Sequence, residues 1–181
     1  ILGFKPIFGL EAYFVDSIEV KVKGAARHLV LLAKNATGLR NLFKLANFSY
    51  VDGMYYKPRV DWEMLEKHSE GLSCSTACVD GYIPSLICRS MAEDDESEKA
   101  KKDLLVAIER FKSIFGQDFY LELMFNELHD QHVINKGLIE LSRDCNVKLI
   151  ATCDYHYLEK RQSESRALLH FVAWGVTYED Y

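Results

Sequence analysis

Two rhythms of apolar and polar residues run along this chain of 181 residues. Short continuous apolar runs at residues 5–14, 28–33, 71–78, 119–123 and 148–154 predict strands, the run at 28–33 being one buried on both faces. Between them the spacing turns helical. Leu39, Leu42, Phe43, Leu45 and Ala46 form one apolar stripe, with Thr37 placed to cap its N-terminus. Asp61 is placed to cap a short helix ending near His68, and Pro84 suits the first turn of a helix around residues 83–87. From residue 96 to 115, Leu104, Leu105, Ile108, Phe111 and Phe115 make a longer stripe that Gly116 closes. Ile134, Leu138 and Leu141 mark a helix over 133–145, and a last one covers 163–171. Residues 55–59, Tyr-Tyr-Lys-Pro-Arg, are read as a break in regular structure.

Strands that alternate with helices through short joins predict an α/β fold: a mostly parallel sheet with covering helices, open or closed into a barrel. In either form the chemistry gathers at the C-terminal ends of the strands. No internal repeat or linker interrupts the pattern, so a single domain is expected.

Composition narrows this picture. The chain is 49% hydrophobic and 27% charged, enough apolar surface for a core. No run of about 18 apolar residues occurs, so no membrane-spanning helix is expected. No basic-then-apolar leader is expected either, and five irregularly spaced cysteines read as reduced thiols, which together predict a cytoplasmic protein. The net charge of -5 argues weakly against a stand-alone nucleic-acid binder. Much of the acidity lies in residues 93–98, read as the solvated start of a helix. Residue 1 is Ile, and a strand follows almost at once, which predicts that upstream residues are missing.

The sharpest local chemistry is Asp154-Tyr155-His156, just past an apolar strand. Residues two apart on an extended chain face the same way, so the carboxylate and imidazole suit a divalent metal; a metal-free hydrogen-bonded pair is the alternative. Glu11 is read at the end of its strand, as a ligand, a general base or a solvated acid. Cys78 ends another strand and is either a zinc thiolate or an inert buried thiol. His28 sits at the start of its strand, which tells against a shared site unless the chain bends there. His68, His129, His132 and His170 carry weaker signals. No phosphate loop, dinucleotide fingerprint or nucleophile elbow is present.

Several blocks taken together carry a resemblance. Residues 6–13 (PIFGLEAY), 28–35 (HLVLLAKN), 53–59 (GMYYKPR), 66–72, 77–84 (ACVDGYIP), 119–123 (FYLEL) and 151–158 (ATCDYHYL) resemble, in order, the PHP (polymerase and histidinol phosphatase) domain of bacterial replicative DNA polymerase III alpha subunits. The resemblance implies a distorted seven-stranded β/α barrel with up to three divalent metals, zinc or manganese, at its mouth. Its matching ligands here are Glu11, His28, Cys78, Asp154 and His156. It implies metal-dependent phosphodiester hydrolysis, a 3′–5′ exonuclease used in proofreading, within a DNA-directed DNA polymerase that meets DNA and other replisome subunits. Two alternatives stay open: a catalytically inactive module that braces the polymerase and docks partners, and a small-molecule phosphoesterase. The family's His-x-His motif, a following Asp and a Thr-Asp-His-Gly block would precede Ile1. The chain, residues 1–181, is therefore expected to be an N-terminally incomplete PHP domain, lacking the first strands and about half the ligands, with no polymerase palm. Cys153 stands where relatives often have Asn, a position that carries no ligand.

Overall fold

The computed structural model describes residues 3, 5–92, 95–126, 128–175 and 177. Its centre is a sheet whose strands follow the order β3-β4-β1-β2-β5-β6-β7. The strands are β1 (Gly9–Phe14), β2 (Arg27–Ala33), β3 (Met54–Tyr55), β4 (Lys57–Val60), β5 (Leu72–Ser75), β6 (Phe119–Met124) and β7 (Lys148–Thr152). Six of them form the main sheet, and two-residue β3 adds only a small antiparallel edge on β4. Among the described residues the sheet is open, so the α/β class stands and a closed barrel is not formed by these strands alone.

The sheet is mixed rather than mostly parallel. β1 runs parallel to β4, and β5, β6 and β7 run parallel to one another. β2 is antiparallel to both of its neighbours, β1 and β5. One reversed strand among parallel ones puts the start of β2 at the end of the sheet where its neighbours finish. That single reversal decides the geometry of the site.

The helices are α1 (Ala36–Val51), α2 (Trp62–His68), α3 (Tyr82–Ser90), α4 (Ser97–Phe115), α5 (His129–Cys145) and α6 (Ser163–Trp174). Strand alternation aims Ala12, Phe14, Leu29, Leu31, Cys74, Phe119 and Leu121 into one core with α1–α5, through residues such as Leu45, Leu65, Ile83, Ile108 and Leu138. Phe14, Trp62, Tyr82 and Phe111 cluster there in edge-on and tilted contacts, with ring centroids 4.5–6.3 Å apart. α6 is different: none of its residues is buried. No helix among the described residues is long and apolar enough to cross a membrane.

Local signals held where they were local. Asp61 caps α2 by accepting from the Met64 N–H at 3.1 Å, Pro84 lies in the first turn of α3, and Gly116 ends α4 at φ +55°. α1 is capped by Asn35 rather than Thr37, because the Asn35 side chain accepts from the Gly38 N–H at 2.9 Å. Residues 55–59 are not a break. They form the β3–β4 hairpin around Tyr56, whose φ is +59°. Leu105 lies outside the buried stripe and is 52% exposed, while Ala107 is buried. Glu93 and Asp94 of the acidic run, and Ile1, Leu2 and Phe4 of the opening, lie outside the described residues.

The first turn of α1 lies directly on the turn before β5. A Cβ at Gly38 would sit 2.0 Å from the Gly71 carbonyl oxygen, and Gly71 itself holds φ +75°. Two backbones meet with no room for a side chain. Gly38→Ala is therefore expected to cost about 2 kcal/mol, an overpacking penalty that backbone cannot relax as a flexible side chain would. Urea denaturation checks this, and a loss under about 0.5 kcal/mol would show that the turn moves freely.

Candidate metal centre

β1 and β2 pair with Glu11 opposite Val30 and Tyr13 opposite His28. Glu11 and His28 are therefore diagonal neighbours on one face of an antiparallel pair, a distance that long side chains bridge. The Glu11 Oε1 lies 2.9 Å from His28 Nδ1. Tyr13 fixes the imidazole from the side, with ring centroids 5.3 Å apart in an edge-on arrangement. His28 starts its strand, as the sequence indicated, but β2 is reversed, and its start opens onto the same mouth as the neighbouring strand ends. Glu11 sits in the middle of β1 rather than at its end, and reaches the site from there.

Cys78 arrives from the other side of β2. β5 ends at Ser75, so Cys78 stands on the connection beyond it rather than on the strand. That connection is pinned along the start of β2, because the His28 N–H donates to the Asp80 carbonyl at 2.9 Å and the Gly81 N–H donates to the Cys78 carbonyl at 2.8 Å. Glycine is required at 81, where a Cβ would sit 2.1 Å from the Thr76 oxygen. The result is a Cys78 Sγ 3.5 Å from His28 Nδ1.

Glu11, His28 and Cys78 thus place one donor atom each within 4.8 Å of one another. Carboxylate, imidazole and thiol together are a donor set that could hold a divalent metal ion. Burial pushes the Cys78 thiol up to about 11, and the negative charges of Asp154, Asp80 and Glu11 push the same way against a backbone hydrogen bond at Asp80. A thiol binds a divalent ion as the thiolate, so a cation at this position would have to displace the Cys78 proton.

Asp154 and His156 stand outside that group of three. β7 ends at Thr152, and Asp154 adopts φ +48°, so the extended spacing read from the sequence does not apply. His156 Nδ1 lies 2.8 Å from the backbone oxygen of Asp154. Both are exposed and border an open cavity of about 640 Å³, with Asn126, Tyr157, Lys160 and Arg166 in its lining. The Asp154 charge nevertheless reaches Cys78 and raises its thiol. Of the other histidines, His68 stacks on Phe48 at 5.4 Å, and burial lowers its pKa.

Sequence reasoning missed one group here. Glu122 is only 4% exposed, although carboxylates are rarely buried. The signal was available: a lone acid inside the apolar run Phe119–Met124, on the same side as Tyr120 and opposite Phe119 and Leu121.

A carboxylate from within β1, an imidazole from the start of β2 and a thiol from the connection after β5 define an α/β domain with a candidate metal centre. The chain belongs to the PHP domain family, which it matches over residues 2–126. It is homologous to part of DNA polymerase III subunit alpha. It is 40% identical to that subunit from Borreliella burgdorferi over 183 residues, covering 98% of this chain and 15% of the relative. The subunit from Aquifex aeolicus is 42% identical over 177 residues, covering 92% of the chain and 14% of the relative. That from Thermus aquaticus is 34% identical over 185 residues, covering 99% and 14%. The chain therefore spans about a seventh of the length of these relatives. The family match ends at residue 126, so Asp154 and His156 lie beyond it.

Proposed function

We propose that the chain is the PHP-domain portion of a DNA polymerase III alpha subunit, and that this domain hydrolyses a phosphodiester at a 3′ DNA end with divalent metal, as a proofreading exonuclease. The observation that carries the reading is the convergence of Glu11, His28 and Cys78 within 4.8 Å at the strand-end mouth. Zinc or manganese held there supplies the positive charge that a scissile phosphate and an attacking water need. The chain's own residues do the rest. Glu11 and Cys78 bring negative charge that balances the ion, and His28 stands between them. Asp154 and His156 are proposed as further ligands from the adjoining cavity, where Lys160 and Arg166 offer cationic groups to a phosphate backbone.

Completion of the seven-stranded barrel is part of the proposal. β7 has no partner on its outer edge among the described residues, and Leu149 and Ile150 on it are exposed. An unpaired apolar edge is a place for further strands of a longer polypeptide. DNA and other replisome subunits are the proposed partners. A cytoplasmic setting agrees with Cys74, Cys78, Cys88, Cys145 and Cys153 all being free thiols.

The exposed apolar residues of α6, with Val172 84% and Leu169 69% exposed, favour a second reading, a bracing and docking module. One experiment separates the two. The complete polypeptide is purified, its zinc and manganese are measured, and it is incubated with 3′-ended single-stranded DNA. The exonuclease reading expects at least one tightly held metal and shortening from the 3′ end that a chelator stops. Absence of both metals together with an intact strand leaves the bracing module. Release of phosphate from a sugar phosphate instead points to the small-molecule phosphoesterase.

A further inference from the structure

The Glu122 carboxylate is the buried junction of two segments that reach the mouth. One oxygen, Oε2, accepts from the Ser75 hydroxyl at 2.5 Å and from the Ala77 N–H at 3.1 Å. The other, Oε1, accepts from the Thr152 hydroxyl at 2.5 Å. The Glu122 N–H in turn donates to the Thr76 hydroxyl at 2.9 Å. Ser75, Thr76 and Ala77 lead straight into Cys78. Thr152 is the last residue of β7, two before Asp154. β6 lies between β5 and β7 in the sheet, so one side chain from the middle strand reaches both flanking strand ends.

We infer that Glu122 is a positioning residue for the metal centre, holding the Cys78 segment in its ligating conformation and tying it to the β7 end that carries Asp154 and His156. The backbone shows what needs holding. Ala77 adopts φ +60°, a left-handed conformation that a residue with a Cβ populates rarely. The N–H donated to Glu122 is that of Ala77 itself, so the carboxylate fixes the strained residue directly before the thiol. Ala77 is 2% exposed and Thr76 fully buried, so water is poorly placed to substitute for the lost acceptor. Every donor to this carboxylate is a hydroxyl or a backbone N–H, and no cationic side chain pairs with it among the described residues. Its job is alignment of the chain rather than charge pairing. Metal ligands depend on such outer partners for their orientation, typically by about 10- to 100-fold in affinity.

This inference rests on the metal-centre reading, and the test keeps the two apart. Cobalt(II) is titrated into the complete polypeptide after chelation, following the absorption band of a thiolate bound to cobalt, with circular dichroism confirming a folded state. The unaltered protein is expected to show the band. Glu122→Ala is expected to bind cobalt about 10- to 100-fold more weakly and with a diminished thiolate band while still folded. Glu122→Gln is expected to recover most of the affinity. With its amide oxygen in the place of Oε2 it accepts from Ser75 and Ala77, and its NH2 in the place of Oε1 donates to the Thr152 hydroxyl. If Glu122→Ala does not fold, the pair Ser75→Ala and Thr152→Val carries the test, because it removes two of the three donors to the carboxylate. A folded variant of either kind with unchanged affinity and band overturns the positioning role and leaves the metal centre standing. Absence of the band in the unaltered protein overturns the metal centre and this role together.

Discussion

His28→Ala is expected to lower metal affinity by about 100-fold or more while leaving the fold intact. His28 is the middle donor of the three, 2.9 Å from Glu11 and 3.5 Å from Cys78 through the same Nδ1. Zinc bound by a full protein ligand set gains on the order of 10–16 kcal/mol, so one of four ligands is worth about 3 kcal/mol, or about 100-fold. The imidazole is 26% exposed and makes no core contact comparable to Leu29 beside it. Its backbone N–H, bonded to Asp80, survives the substitution. Thermal melting of the metal-free protein should therefore shift little, whereas metal content after dialysis should collapse. Retention of metal by His28→Ala at the unaltered level would place the ion on other ligands.

The reason His28 belongs to the site was not readable from its position in the sequence. Periodicity identifies a strand but not its direction, and a histidine at a strand start belongs to the wrong end of a parallel sheet. Only the reversal of β2 between β1 and β5 brings it to the mouth. Resemblance named His28, and the structure sets it beside Glu11 and Cys78. Signals that depend on a few consecutive residues were legible: the Asp61 cap, Pro84 in a first turn, and Gly116 at a helix end. Signals that depend on distant chain were not. The Tyr55–Arg59 block reads as irregular because its tight hairpin turns on Tyr56 rather than on a glycine, and only its end, at Arg59, is fixed by distant chain, through Tyr13 of β1. For Asp154 and His156 it is the extended-strand argument, not the residues, that the structure changes. Their spacing was local and clear, but the strand that would have made it meaningful stops two residues short. Glu122 combines both lessons, since its burial follows from donors contributed by two other strand ends.

Arg59→Met is expected to destabilise the protein by about 3–4 kcal/mol, the largest loss for any single side chain discussed. Arg59 is 2% exposed, and among the described residues it forms no salt bridge. Its guanidinium instead donates to three backbone carbonyls: Nε to Gly53 at 2.9 Å, Nη1 to Val20 at 2.9 Å and Nη2 to Ile18 at 2.7 Å. The last two lie on the long connection between β1 and β2, so one side chain of β4 anchors the segment that joins the strands of Glu11 and His28. Hydrogen bonds to a charged donor are worth about 1.5–3 kcal/mol each. The full sum is not lost, because the loop is partly exposed (Val20 is 61% exposed) and its carbonyls regain water. The Gly53 carbonyl is buried away from water and keeps only the longer bond from the residue-59 backbone N–H, at 3.3 Å. Arg59→Lys should recover little, because a single ammonium does not reproduce the planar fork that reaches three acceptors. Urea denaturation of both variants reads the loss, and limited proteolysis should cut first within residues 16–26. A loss below about 1 kcal/mol with that segment still protected would mean that the Ile18 N–H bond to Asp61, 3.1 Å long, suffices to hold it.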